Sequence, residues 1–275
     1  MSIAQIDSTT RANGKEAAGR FVSEAEYWDH YYELSDYHYE WNNGYLEEKP
    51  VTDYAQFQLY LWFLGLLKDF LHVNPIGRMI GLELGFRLHL PTKITVRKPD
   101  LAVVLNSNPT PLRDKDRSYQ GIFDLCIESL SDSSQNDVER DTVTKKLEYA
   151  AAGVREYVIL DERGQETAFY QLNARGVYAP IPARNGVIRS RVLPGFQFRV
   201  ADLYHLPHPP TLIGDKVYAA FVSPYIRAER ERAEQAEVRA EQAQQQAIQS
   251  QQRADTYAAL LKSLGVDVDN LPAAE

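Results

Sequence analysis

The 275-residue chain carries 30 Lys and Arg against 38 Asp and Glu, a net charge of −8, with 44% hydrophobic and 25% charged residues. That mix excludes collagen-like and Pro/Gly-rich disordered classes, and the acidic balance argues against a protein that holds nucleic acid mainly by a basic surface. The single cysteine, Cys126, excludes an internal disulfide framework and multi-cysteine zinc sites, and the longest apolar stretch, Leu59 to Leu67, falls far short of a membrane span. With no signal-peptide pattern near its start, the chain is expected to be cytoplasmic.

Residues 1–20 read as a flexible leader. Ser23-Glu24-Ala25-Glu26 forms a capping box, followed by a short helix rich in aromatics, Tyr27, Trp28, Tyr31 and Tyr32. Residues 37–49 alternate about Asn43-Gly44, a pair that tolerates positive φ, and predict a hairpin. Asp53 and Gln56 open a core helix that runs to Leu71, with Phe57, Leu61, Leu64, Leu67 and Phe70 at helical spacing. Residues 78–90 and 95–105 are strand-like, and Pro109 and Pro111 mark a loop. Residues 123–130 predict a strand, 138–152 a helix closed by Gly153, and 156–161 a further strand. Strand, helix and strand at this spacing imply a right-handed parallel crossover, and so an α/β core. Short strands over 167–200 are expected to extend the same sheet in antiparallel fashion.

Residues 211–226 are expected to be a linker. Beyond Ile226, Glu, Arg, Gln and Ala dominate up to residue 264, with small or apolar residues in heptad phase at 226, 233, 236, 240, 243, 247, 254, 257, 261 and 264. Residues 227–264 therefore form either a coiled coil joining copies of the chain or a lone solvated helix, and 265–275 are the C-terminal end.

The six histidines show no i, i+4 zincin pair, and neither a phosphate-cradling glycine loop nor a nucleophile elbow is present. The remaining chemistry is acidic. Asp100 opens an apolar strand, and Glu128 sits within another, where a carboxylate must be paired, hydrogen-bonded or metal-bound. One reading has Asp100 capping its strand and Glu128 pairing with Lys145 or Lys146. The other has two carboxylates and a lysine gathered around a cation, as phosphodiester hydrolysis requires.

Pro99-Asp100, Glu128-Ser129-Leu130-Ser131, Asp141 with Lys145 and Tyr149, and Ala152-Gly153-Val154-Arg155-Glu156-Tyr157 together resemble the Uma-type restriction endonuclease family of the PD-(D/E)XK nuclease superfamily, over about residues 23–205. The resemblance implies a restriction-endonuclease-like mixed β-sheet flanked by helices over 21–210. It implies that Asp100 and Glu128 bind Mg2+ or Mn2+, that Glu40 completes the metal site, and that Lys145, four residues before Tyr149, orients or helps to activate water. The superfamily's lysine position, two after the second acid, is Leu130 here. Lys146 competes with Lys145, because the apparent core stripe Val143, Leu147, Ala150 and Val154 lies closer to it in rotation. Ser131 follows the family pattern as a turn residue, while Glu83 and Arg87 lie either near the site or on the surface. The implied activity is metal-dependent endonucleolytic hydrolysis of nucleic acid, with DNA the expected substrate. The alternative is a catalytically inert nuclease-like module that binds DNA or assembles through its coiled coil.

Overall fold

Ser23 Oγ accepts the Glu26 amide at 3.1 Å and starts α1 (Glu24–His30), as a capping serine should. In this computed structural model, residues 17–33, 38–49, 52–81 and 84–264 are described. The leader up to residue 16, Glu83 and the C-terminal end at 265–275 lie outside the described residues. The chain divides into two compact units, Met1–Ser223 and Pro224–Glu275.

The expected hairpin is β1 (Tyr39–Asn42) and β2 (Tyr45–Glu48), turning at Asn43 and Gly44 with φ of 50° and 100°. Residues 17–20, expected in the leader, are part of the fold. The Gly19 amide donates to Leu46 O at 2.8 Å, the Leu46 amide donates to Arg20 O at 3.0 Å, and Ala17 is buried.

The stretches expected as single strands each divide in two. Residues 78–90 give β3 (Gly77–Gly81) and β4 (Phe86–His89), and 95–105 give β5 (Ile94–Arg97) and β6 (Leu101–Leu105). Pro99 has no amide hydrogen to continue a ladder, so the chain changes sheet at Lys98-Pro99-Asp100. One sheet has the order β2-β1-β5-β4. The other contains β7 (Leu125–Ser129), β8 (Glu156–Leu160), β9 (Ala168–Leu172) and β10 (Tyr178–Pro180) in the order β10-β9-β8-β7-β6-β3. Among the described residues its one parallel strand pair is β7–β8. The crossover between them runs through α3 (Gln135–Glu139), a π-helical segment (Arg140–Lys145) and α4 (Lys146–Ala152). Gly153, at φ +92°, ends α4 and lets the Val154 amide reach Tyr149 O at 2.9 Å.

Alternation along the larger sheet sends Ala102, Val104, Cys126, Tyr157 and Ile159 into one core with Phe86 and Tyr149. The helix α2 (Tyr54–Val73), capped by Asp53, lies along the same sheet. Its Phe63 and Phe70 pack on Phe196 at ring-centroid distances of 5.9 and 5.3 Å. β11 (Val187–Arg189) and β12 (Gln197–Arg199) form a separate two-stranded sheet rather than extending the larger one.

After the short helix α5 (Asp202–His205), the expected linker is largely packed chain: Leu212, Tyr218, Phe221 and Val222 are buried. The Tyr218 hydroxyl donates to Asp202 Oδ2 at 2.5 Å and accepts the Arg199 amide at 3.0 Å. The last element, α6 (Val222–Ser263), is a continuous 42-residue helix whose residues beyond 228 are almost all exposed. Among the described residues no helix is long and apolar enough to cross a membrane.

Candidate active site

β6 and β7 pair antiparallel with Leu101 opposite Ile127, and one step further along this register sets Asp100 opposite Glu128. Both acids therefore leave the sheet on the same face at the point where the ladder ends. Like charges directly across a strand pair repel, so the arrangement needs cations. Lys49, at the end of the hairpin, donates to Asp100 Oδ1 at 2.8 Å and to Lys98 O at 2.9 Å, while the Ser129 amide donates to Asp100 Oδ2 at 2.7 Å. Glu128 Oε1 accepts the Tyr149 hydroxyl at 2.6 Å, and Oε2 lies 3.1 Å from Lys145 Nζ.

Lys145 is buried between Glu128, Asp141 at 3.1 Å and Glu40 at 3.4 Å. Its position follows from the π-helical segment that ends on it. Bonding from i to i+5 widens the turn, so the 100° per residue of an α-helix does not apply across residues 140–145. The expected core stripe fails for this reason: Val143 and Leu147 are exposed. Lys146 points elsewhere, its Nζ 4.1 Å from the centre of the Tyr170 ring.

Burial pushes the Glu128 carboxyl up to about 8, with Asp100, Asp141 and Glu40 adding to the shift and Lys145 opposing it. Burial pulls the Lys145 ammonium down, but Asp141, Glu128 and Glu40 outweigh it and hold the group above its ordinary range, hence charged. Tyr149→Phe removes the hydroxyl that satisfies Glu128. The expected loss is about 1–3 kcal/mol in urea unfolding, and a loss near zero would show that Glu128 finds another donor.

Glu40 was expected as a metal ligand. Its Oε2 instead accepts from Arg97 at 2.9 Å and its Oε1 from the Lys98 amide at 2.8 Å. Arg97 is wholly buried and also donates to Glu148 at 2.6 and 3.0 Å and to Glu47. These partners hold the Glu40 carboxyl below the usual range against its burial, with Lys145 and Arg97 the main causes. Glu40 thus joins an ion network behind Lys145 and does not border the pocket onto which Asp100 and Glu128 open.

That pocket, of about 320 Å3, is lined on its polar side by Lys49, Asp100, Glu128, Arg140, Asp141 and Lys145, with Ser131 at its edge. Arg87 instead pairs with Glu24 and borders a separate cavity. Among the described residues no group of three or more His, Cys, Asp or Glu side chains is placed to hold a metal. Mg2+, however, is commonly held by one or two carboxylates, with waters and substrate phosphate completing the shell. Asp100 and Glu128 supply two hard oxygen donors, and Asp141, whose Oδ1 is ion-paired with Lys145 at 3.1 Å, lines the same pocket. The donor set fits a hard divalent cation.

Lys49, Arg140 and Asp141 were not among the expected site residues. Asp141 and Lys145 stand at i, i+4, a spacing that already suggests an ion pair. Nothing local marks Lys49, whose role depends on the hairpin docking beside β6.

The family model Uma2, described as "Putative restriction endonuclease", matches residues 25–201. A solved structure from Anabaena variabilis, described as "a putative nuclease belonging to DUF820", superposes with a TM-score of 0.54 at 16% identity, over 67% of this chain and 98% of that one. At that identity the likeness concerns the fold. No curated protein matches the chain.

Proposed function

The chain belongs to the Uma2 family, and from that premise we propose that it is a divalent-metal-dependent endonuclease that hydrolyses phosphodiester bonds of DNA. The observation that carries this reading is the cross-strand pair Asp100 and Glu128, opening with Lys145 onto one pocket. Asp100 and Glu128 are the residues to hold Mg2+ or Mn2+, which when bound supplies positive charge at the phosphate and lowers the pKa of water. Lys145 stays protonated, so it serves as a fixed cation and hydrogen-bond donor rather than as a base. Lys49 and Arg140, on the same wall, offset the charge of an entering phosphodiester.

The test is incubation of the purified protein with supercoiled plasmid in Mg2+ or Mn2+ beside Asp100→Ala. Nicking or linearisation by the wild type, reduced at least ~100-fold in the variant, is expected. Undiminished cleavage by Asp100→Ala would move the chemistry elsewhere, and an inactive wild type would favour the inert assembly module.

We also propose that α6 joins copies of the chain. Its heptad seam is mostly alanine, which buries little area, yet Ile248, Tyr257, Leu260 and Leu264 stand exposed on it or beside it. Light scattering of a chain lacking residues 227–275 is expected to give a monomer mass where the full chain gives a multiple. The same oligomeric number for both would refute the tail's role.

A further inference from the structure

Helix α2 has two apolar faces. Leu59, Phe63, Leu66, Leu67 and Phe70 are buried, whereas Phe57 and Leu61 are 42% and 41% exposed. With Tyr60 and Leu64 they form the apolar wall of the pocket that holds Asp100, Glu128 and Lys145. Residues three, four and seven apart share one side of a helix, so 57, 60, 61 and 64 make a continuous surface. That surface is fixed in place. Gln56 Nε2 donates to Ser129 Oγ and to Leu160 O, both at 2.8 Å, and its Oε1 accepts the Glu162 amide at 2.8 Å, which ties the start of α2 to the ends of β7 and β8.

The phosphates of a backbone give an apolar wall nothing to contact and its sugars only C–H edges, while within a duplex the base faces are already stacked on one another. Access points the same way. Glu128 and Lys145 are each 1% exposed, so a scissile phosphate must enter the recess rather than lie across its mouth. The cations Lys49, Arg140 and Lys145 line the same recess. Charge for a phosphate and an apolar face for a base are thus both present within about 320 Å3.

We propose, resting on the nuclease reading above, that the pocket takes one unpaired nucleotide, its base against Phe57, Tyr60 and Leu61 and its phosphate toward the three cations, so that single-stranded or locally unpaired DNA is the preferred substrate. Stacking on such platforms tolerates any base, because every base has a π-face.

The test uses the full-length chain in EDTA, where cleavage plays no part. Anisotropy is measured with a labelled single strand and with its duplex, and quenching is followed for a single strand carrying 2-aminopurine. The single strand is expected to bind at least ~10-fold more tightly than the duplex, with quenching. Phe57→Ala and Leu61→Ser, both at half-exposed positions that tolerate truncation, are expected to weaken single-strand binding about 5- to 10-fold, to reduce the quenching and to leave duplex binding unchanged. Equal affinity for single strand and duplex, or wild-type binding by both variants, would overturn the proposal. Cleavage of plasmid in Mg2+ is scored separately. Activity without single-strand preference sinks this inference alone, whereas quenched single-strand binding without cleavage sinks the nuclease reading alone.

Discussion

Glu128→Gln is expected to reduce metal-dependent cleavage at least ~100-fold and, in metal-free protein, to flatten a pH dependence of stability that the wild type shows. The folded carboxyl sits at about 8 against an ordinary 4.5, chiefly because it is buried. Between those values the folded chain keeps a proton that the unfolded chain has released. The stability from this group is therefore complete below about 4.5 and is lost as pH rises through 8. Glutamine resembles the protonated acid in shape and does not titrate. Urea unfolding in EDTA at pH 5 and pH 8.5 should show the variant gaining on the wild type at the higher pH, by an amount of order several kcal/mol. An equal gap at both pH values would mean that Glu128 titrates in the ordinary range.

The largest loss of stability is expected at Arg97. Its guanidinium is wholly buried and bridges Glu40, Glu47 and Glu148, joining the hairpin, β5 and α4. Arg97→Met leaves these carboxylates, among the described residues, with Lys145 and Lys93 as the paired cations beside Glu40 and Glu148 and with the Lys98 amide and Asn42 as donors to Glu40 and Glu47. Removing one partner from a buried ion network costs about 3–5 kcal/mol, since the charges left behind remain desolvated. Arg97→Lys should recover little of this, because one ammonium cannot reproduce the planar fork that reaches all three acids. Thermal unfolding of both variants decides the matter, and a loss below ~1 kcal/mol for Arg97→Met would show that the network relaxes to water.

The parts of this arrangement legible in the sequence are those set by local chemistry. Asn43-Gly44 announces its hairpin through positive φ, Ser23 and Asp53 announce helix starts, and Glu128 stands out as an acid in an otherwise apolar strand. The parts that escaped depend on contacts distant in sequence. Strand periodicity does not show that residues on either side of Pro99 belong to different sheets. Residues 211–226 look like a linker because Pro207, Pro209 and Pro210 precede them and the composition changes after Ile226, yet Tyr218 and Phe221 reach a core built by other elements. Helical periodicity favoured Lys146 because it assumed an α-helix through a segment that is π-helical, whereas the spacing to Tyr149 favoured Lys145, the lysine that lies among the acids. Glu40 was expected at the metal because nothing local announces its partner Arg97, which is 57 residues away.

The claim on which the rest depends is that Asp100 and Glu128 act together on one divalent ion. Calorimetric titration of Mn2+ into metal-free protein tests it without requiring any substrate. One site per chain is predicted for the wild type, lost in both Asp100→Asn and Glu128→Gln. An unchanged site in either variant, or no binding by the wild type at millimolar Mn2+, would contradict it.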